Sequence, residues 1–250
     1  MTIPRLQVRS AGSFVVEGRA YEENFDSRYG FIDRTGHAVV PMIYKVSNSQ
    51  DIYQYAEGRV TVLVDGKWGY LDLRGDFVIP PQYDEASAFR KGLARVRSGA
   101  QTLYIDSRGA VVLSTRLLAG QFWDAPLAPV QVGEKWGYMD KKGNIVITPR
   151  YEVAGRFAEG LAVVKTDGRW SFIRPDGKIA FSTDADIVNE FSDGFTRVRE
   201  QSGMWNFLDK TGRRLSTTGF RAVAPFSDGL AKTELGYINQ SGKFIWKGPW

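Results

Sequence analysis

Carboxylates recur here with a spacing that invites a chemical reading. Asp33, Asp72, Asp106, Asp140 and Asp209 each stand three residues before a glycine: Gly36, Gly75, Gly109, Gly143 and Gly212. Several carboxylates gathered on one rim could hold a metal ion or act as general acid and base. The same Asp-x-x-Gly spacing also builds turns, because Asp favours the first position of a type I turn and Gly supplies positive φ at its end. Two copies separate the readings. Arg174 and Asn239 replace the aspartate while Gly177 and Gly242 persist, so the sequence predicts turn builders. His37 is the single histidine and lies beside Gly36, which excludes a multi-histidine metal centre and places it in an exposed turn. No P-loop or dinucleotide fingerprint occurs. The expectation is therefore no catalytic residue, no metal and no cofactor.

Basic residues fall inside the same turns: Arg34, Arg74, Arg108, Lys141, Lys142 and Lys210, in a chain of formal net charge +5. Stacked repeats would align them as a basic stripe for an acidic partner. The acidic residues Glu17, Glu57, Glu159, Asp193 and Asp228 precede a second set of glycines, at the same end of each unit, so the rim is expected to alternate in sign and largely neutralise itself. No continuous basic patch with stacking aromatics is evident, and nucleic-acid binding is not expected. Tryptophans at fixed strand positions read as core. Trp123, Trp246 and Trp250 fall outside that position and read as surface candidates for a partner.

Positioning these residues requires a repeated element. The turn glycines fall at 36, 75, 109, 143, 177, 212 and 242, with differences of 39, 34, 34, 34, 35 and 30. The second marker falls at Gly18, Gly58, Gly92, Pro126, Gly160, Gly194 and Gly229, with differences of 40, 34, 34, 34, 34 and 35. Two markers sharing one period define a repeat protein. The fold class is all-β: seven tandem antiparallel β-meander repeats of about 34 residues, starting near 14, 55, 89, 123, 157, 191 and 226, in a single domain over 1–250. No 18-residue apolar run marks a membrane span. The N-terminus shows no signal peptide, so the expected location is cytoplasmic by default, or periplasmic or surface if a leader was removed.

Each unit reads as three strands. A Leu-Ala-type strand leads through a tight Asp-Gly hairpin, as at Asp65-Gly66 and Asp167-Gly168, into a Trp-Gly strand, and Asp-x-x-Gly leads to a third. The chain must then travel back. The returning segment carries an aromatic before each marker (Tyr55, Phe89, Trp123, Phe157, Phe191, Phe226) and could form an irregular fourth strand. In Trp68-Gly69-Tyr70-Leu71 both strand faces are apolar, so neighbouring repeats must cover both. Glycine opposite the tryptophan would let the next unit approach, making Trp-Gly the packing joint between repeats. The last copy ends Phe244-Ile245-Trp246, which is no polar cap, so the chain reads as a propeller-like closed ring, with an open β-hairpin superhelix or solenoid as the alternative.

Lys67-Trp68-Gly69-Tyr70-Leu71-Asp72, then Phe77-Val78-Ile79-Pro80-Pro81 and Tyr83-Asp84, resembles the bacterial WG (KWG) repeat, and Lys135-Trp136-Gly137 repeats the tripeptide. Other copies drift: Thr102-Leu103 stands for Trp-Gly, Ser171 and Asn206 for the glycine, Leu235 for the tryptophan. The resemblance implies an all-β repeat protein without established catalytic residues, and transfers no site.

The expected function is a non-catalytic scaffold binding another protein, of unknown identity; family habit adds the version in which it is an immunity or inhibitor partner of a bacterial effector. The alternatives are an enzyme with loop carboxylates such as Asp184, Asp186 and Glu190 in a central funnel, or a binder of an anionic glycan or cell-surface ligand. Specificity is expected where the repeat is broken: within Pro41–Glu57, around Phe122-Trp123, and at Thr183–Glu190.

Overall fold

Short runs of β-branched and aromatic residues, punctuated by Gly turns, give strands and no helices among the described residues. A computed structural model describes residues 6–8, 14–19, 27–32, 38–45, 55–72, 74–123 and 125–248. Every strand pairing in it is antiparallel. Contacts divide the chain into two units, Met1–Arg116 and Leu117–Trp250.

The first unit holds three four-stranded sheets: β1 (Leu6–Val8), β2 (Phe14–Arg19), β3 (Ser27–Ile32) and β4 (Ala38–Lys45); β5 (Tyr55–Ala56), β6 (Arg59–Val64), β7 (Lys67–Leu71) and β8 (Phe77–Tyr83); and β9 (Glu85–Ala86), β10 (Ala94–Ser98), β11 (Gln101–Ile105) and β12 (Val111–Thr115). The second holds β13 (Leu118–Ala119), β14 (Leu127–Val132), β15 (Lys135–Asp140) and β16 (Ile145–Tyr151); β17 (Val153–Ala158), β18 (Leu161–Thr166), β19 (Arg169–Ile173) and β20 (Ile179–Thr183); and the three-stranded sets β21 (Ile187–Ser192), β22 (Phe195–Arg199), β23 (Trp205–Asp209) and β24 (Leu230–Thr233), β25 (Gly236–Asn239), β26 (Phe244–Lys247). The expected returning segment does form a strand. It is the leading edge of the next sheet, as in β17 with Phe157 and β21 with Phe191.

The Trp-Gly strand is built differently from the sequence expectation in two respects. First, the glycine serves its own sheet. Tyr70 pairs with Ile79 and Trp68 with Tyr83, so three residues of β8 bulge opposite Gly69. A Cβ on Gly69 would lie 2.7 Å from the Ile79 carbonyl oxygen, and one on Gly137 would lie 2.3 Å from that of Ile147. The bulges carry proline: Pro80-Pro81 opposite Gly69, Pro149 opposite Gly137 and Pro41 opposite Gly30. Where the glycine is replaced at Leu103 or Ser171, the outer strand lacks proline and pairs in step, Leu103 with Ser114 and Ser171 with Ser182. Proline removes a ladder donor and bends the strand inward; only glycine leaves room for it.

Second, the joint between neighbouring sheets is the aromatic two residues after the tryptophan position. Tyr70, Tyr138, Phe172 and Phe207 are fully buried, whereas Trp68 and Trp136 are half-buried. Each packs on the aromatic 19 positions later: Tyr70 on Phe89 (4.9 Å between centroids), Tyr138 on Phe157 (4.9 Å), Phe172 on Phe191 (5.0 Å) and Phe207 on Phe226 (4.7 Å). Such pairs contribute about 1 kcal/mol beyond the area they bury. The Tyr70 hydroxyl donates to the Ser87 carbonyl and the Tyr138 hydroxyl to that of Gly155, both at 2.8 Å. Burial raises both hydroxyls far above the usual tyrosine range, keeping them neutral donors.

Candidate binding surfaces

Asp33 lies outside the described residues; each of the other repeated aspartates is held by its own turn. Asp72 Oδ1 accepts the amides of Arg74 (2.8 Å) and Asp76 (3.0 Å), and Asp106 accepts those of Arg108 and Ala110, both at 2.9 Å. Asp140 does the same with Lys142 and Asn144, and Asp209 with Thr211 and Arg213. Asn239 reproduces the pattern through its amide oxygen, accepting from Ser241 (3.1 Å) and Lys243 (3.0 Å). In the Arg174 turn, Asp176 accepts the Lys178 amide instead. The Asp76 and Arg108 amides hold the Asp72 and Asp106 carboxyls below the usual range, and the Asn144 side-chain amide does so for Asp140. These geometries bear out turn building as the role of the repeated aspartates.

The second acidic set has a role that sequence reading missed. Glu57, Glu159, Asp193 and Asp228 occupy left-handed backbone at φ 51°, directly before glycines of positive φ, which is the two-residue hairpin turn between a leading strand and the next. From there the side chains of Glu57, Glu159 and Asp193 reach the corresponding turn of the following sheet. Glu57 accepts the amides of Lys91 (2.6 Å) and Gly92 (2.9 Å), Glu159 that of Gly194 (3.0 Å), and Asp193 that of Gly229 (2.6 Å). Consecutive amides of one turn form a small anion cradle, and each carboxylate ties its sheet to the next. The 34-residue spacing of acid–Gly pairs was the available signal.

The basic candidates Arg74, Arg108, Lys141, Lys142 and Lys210 are all exposed on the Asp-x-x-Gly turns. Among them Lys210 makes an ion pair with Glu159 at 3.2 Å. Arg34 and Trp250 lie outside the described residues, as does His37. Trp123 is half-buried with the Arg156 guanidinium 3.7 Å above its ring, and Arg156 also pairs with Glu190. Trp246 is 50% exposed and faces Tyr237, with centroids 6.2 Å apart. Of the loop carboxylates, Asp184 pairs with Arg169 at 3.3 Å and Glu190 holds Arg156, while Asp186 is tied through its backbone amide, which donates to the Arg199 carbonyl. Among the described residues no helix is long and apolar enough to cross a membrane.

Solved structures with this arrangement of small antiparallel sheets are propeller-like. They include a eukaryotic initiation factor (TM-score 0.64, 9% identity, 94% of this chain and 75% of that one), the computationally designed Ika8 protein (0.56, 13%, 95% and 80%) and BamB from Moraxella catarrhalis (0.53, 13%, 98% and 91%). At such identities the likeness shows the fold alone. No curated protein matches the chain in sequence. The family model of the WG containing repeat matches residues 29–68, 68–100 and 136–170, the stretches with Trp68-Gly69 and Trp136-Gly137. Repeats of the WG family thus occur in both units of the chain.

Proposed function

We propose that this WG-repeat chain is a non-catalytic scaffold that binds another protein, and that Tyr237 and Trp246 anchor the partner. The supporting observation is the sheet β24–β26. The inner strands β14 and β18 each begin with four consecutive buried residues, as expected of sheets covered on both faces. β24 and β25 alternate instead: Ala231, Thr233, Gly236 and Ile238 are buried, while Lys232 and Tyr237 are exposed. Tyr237 and Trp246 are direct cross-strand partners, and Leu235 and Ile245 stand exposed beside them at 48% and 57%. Clustered exposed Trp and Tyr are the side chains that dominate interface energetics. Lys232 and Lys247 at the margin favour a partner with acidic groups around an apolar knob.

A closed ring, the first architecture read from the sequence, would cover this face; partner binding requires it uncovered, as in the open-array alternative. The more specific version, an immunity or inhibitor partner of an effector, is supported by family resemblance. Affinity capture from a bacterial lysate, followed by reconstitution from purified components, tests the reading. A stoichiometric protein partner whose binding is lost in Trp246→Ala supports it. Turnover in a substrate screen with no such partner sinks it.

A further inference from the structure

Three departures from the repeat, on separate loops between Thr183 and Arg214, meet in one cleft of the second unit. The first is the β20–β21 connection, Thr183 to Asp186. The second is the β22–β23 hairpin, where Glu200-Gln201-Ser202-Gly203 replaces two-residue turns such as Asp65-Gly66 and Asp167-Gly168. The third is Arg214. Two residues after the turn glycine, other sheets place Phe77, Val111, Ile145, Ile179 and Phe244, and this sheet alone among them places a cation. No outer strand forms here among the described residues; Arg214 makes only an isolated bridge to Leu208.

The cleft has a volume of about 410 Å³, within the range of small-molecule sites. Buried Ala185, Val198 and Leu208 form a small apolar floor. The walls are hydrogen-bonding groups: Ser182, Thr183, Asp184, Glu200, Gln201 and Arg214. A second hollow of about 430 Å³ shares Thr183, Asp184 and Gln201 and extends to Arg169 and Trp170. The charges are compensated in place, Arg169 against Asp184 at 3.3 Å and Arg214 against Glu200 at 3.1 Å. An ionic ligand would therefore have to displace an ion pair. Glu200 Oε1 is buried 3.1 Å from an Arg214 nitrogen without an aligned hydrogen bond to it, so one acceptor in the cleft wall is left unsatisfied.

We infer that this cleft is a binding site for a neutral, hydroxyl-rich saccharide. A carboxylate acceptor beside a guanidinium donor matches the adjacent hydroxyls of a sugar ring, which donate and accept at once. Ser, Thr and Gln walls add further neutral partners, and the three-residue floor suits the apolar face of one ring. This inference is independent of the protein-binding face on β24–β26.

The test titrates neutral mono- and disaccharides of glucose, galactose, mannose and N-acetylglucosamine into the full chain, by saturation-transfer NMR and calorimetry. At least one should bind saturably at or below about 10 mM. Glu200→Gln, which keeps shape but removes the charged acceptor, and Arg214→Met should each weaken binding by about tenfold or more. Lys142→Glu, on the opposite turn end, should leave it unchanged. Absence of saturable binding by all of these sugars, binding insensitive to both cleft variants, or tighter binding of phosphate or an acidic sugar overturns the inference. Thermal unfolding of each variant confirms that lost binding is not lost fold.

Discussion

Replacing Gly137 by alanine isolates the reason for the WG motif. The added Cβ would stand 2.3 Å from the Ile147 carbonyl oxygen and 2.7 Å from the Pro149 nitrogen, both backbone atoms that cannot rotate away. Relief to an ordinary contact of about 3.3 Å requires β16 to retreat by about 1 Å, enough to take ladder bonds near 2.9 Å beyond useful hydrogen-bond range. Losing two such bonds on the strand that Pro149 already bends, with some loss of packing, costs about 3 kcal/mol. Gly69→Ala, at 2.7 Å from its neighbour, should cost slightly less. Ser171→Ala, in a sheet with no proline bulge, loses only the Ser171–Ser182 hydroxyl pair at 2.8 Å, about 1 kcal/mol. Denaturant midpoints at unchanged m-value measure all three. A Gly137→Ala variant within about 0.5 kcal/mol of the parent would refute the close-approach reasoning.

Tyr138→Phe should cost about 1 kcal/mol, the hydroxyl bond to Gly155, whereas Tyr138→Ala should cost about 4 kcal/mol through the cavity left against Phe157; equal costs by denaturant unfolding would contradict the assignment. The turn carboxyls of Asp72, Asp106, Asp140 and Asp176 are held below the ordinary value of 3.8 in the folded chain. Their stabilisation is therefore present above the unfolded value and lost as pH falls through the folded one, so thermal midpoints should stay level down to about pH 5 and drop below about pH 4. Asp140→Asn should be close to neutral at pH 7, since Asn239 makes the same amide bonds, and should flatten part of the acid limb. Glu159→Gln should lower the midpoint modestly by weakening the link to Gly194 and the ion pair to Lys210, and the loss should shrink in high salt.

The period and the turn chemistry were legible because both depend on local backbone geometry. An aspartate three residues before a glycine closes the same turn wherever it stands, and Arg174 and Asn239 already showed that the glycine matters most. The pairing of Gly30, Gly69 and Gly137 with prolines about eleven residues later was also present in the sequence, yet its meaning depends on register: three residues opposite one. Tyr70 and Trp68 point to the same face, and periodicity alone does not tell which ring reaches the next sheet. The reach of Glu57 to Lys91 and Gly92 is a contact between sheets and has no local signature. The cleft was foreshadowed by the irregular Thr183–Glu190 stretch. Its other walls, at Glu200 and Arg214, come from separate loops that only the fold brings together.

Partner binding through the uncovered face of β24–β26 is tested most directly by calorimetric titration of a purified partner against the Tyr237→Ala, Trp246→Ala double variant. Both side chains are substantially exposed, at 40% and 50%, so the variant should unfold within about 2 °C of the parent. Affinity should fall by about a hundredfold or more. Undiminished affinity in the folded double variant would place the partner elsewhere and contradict binding at this face.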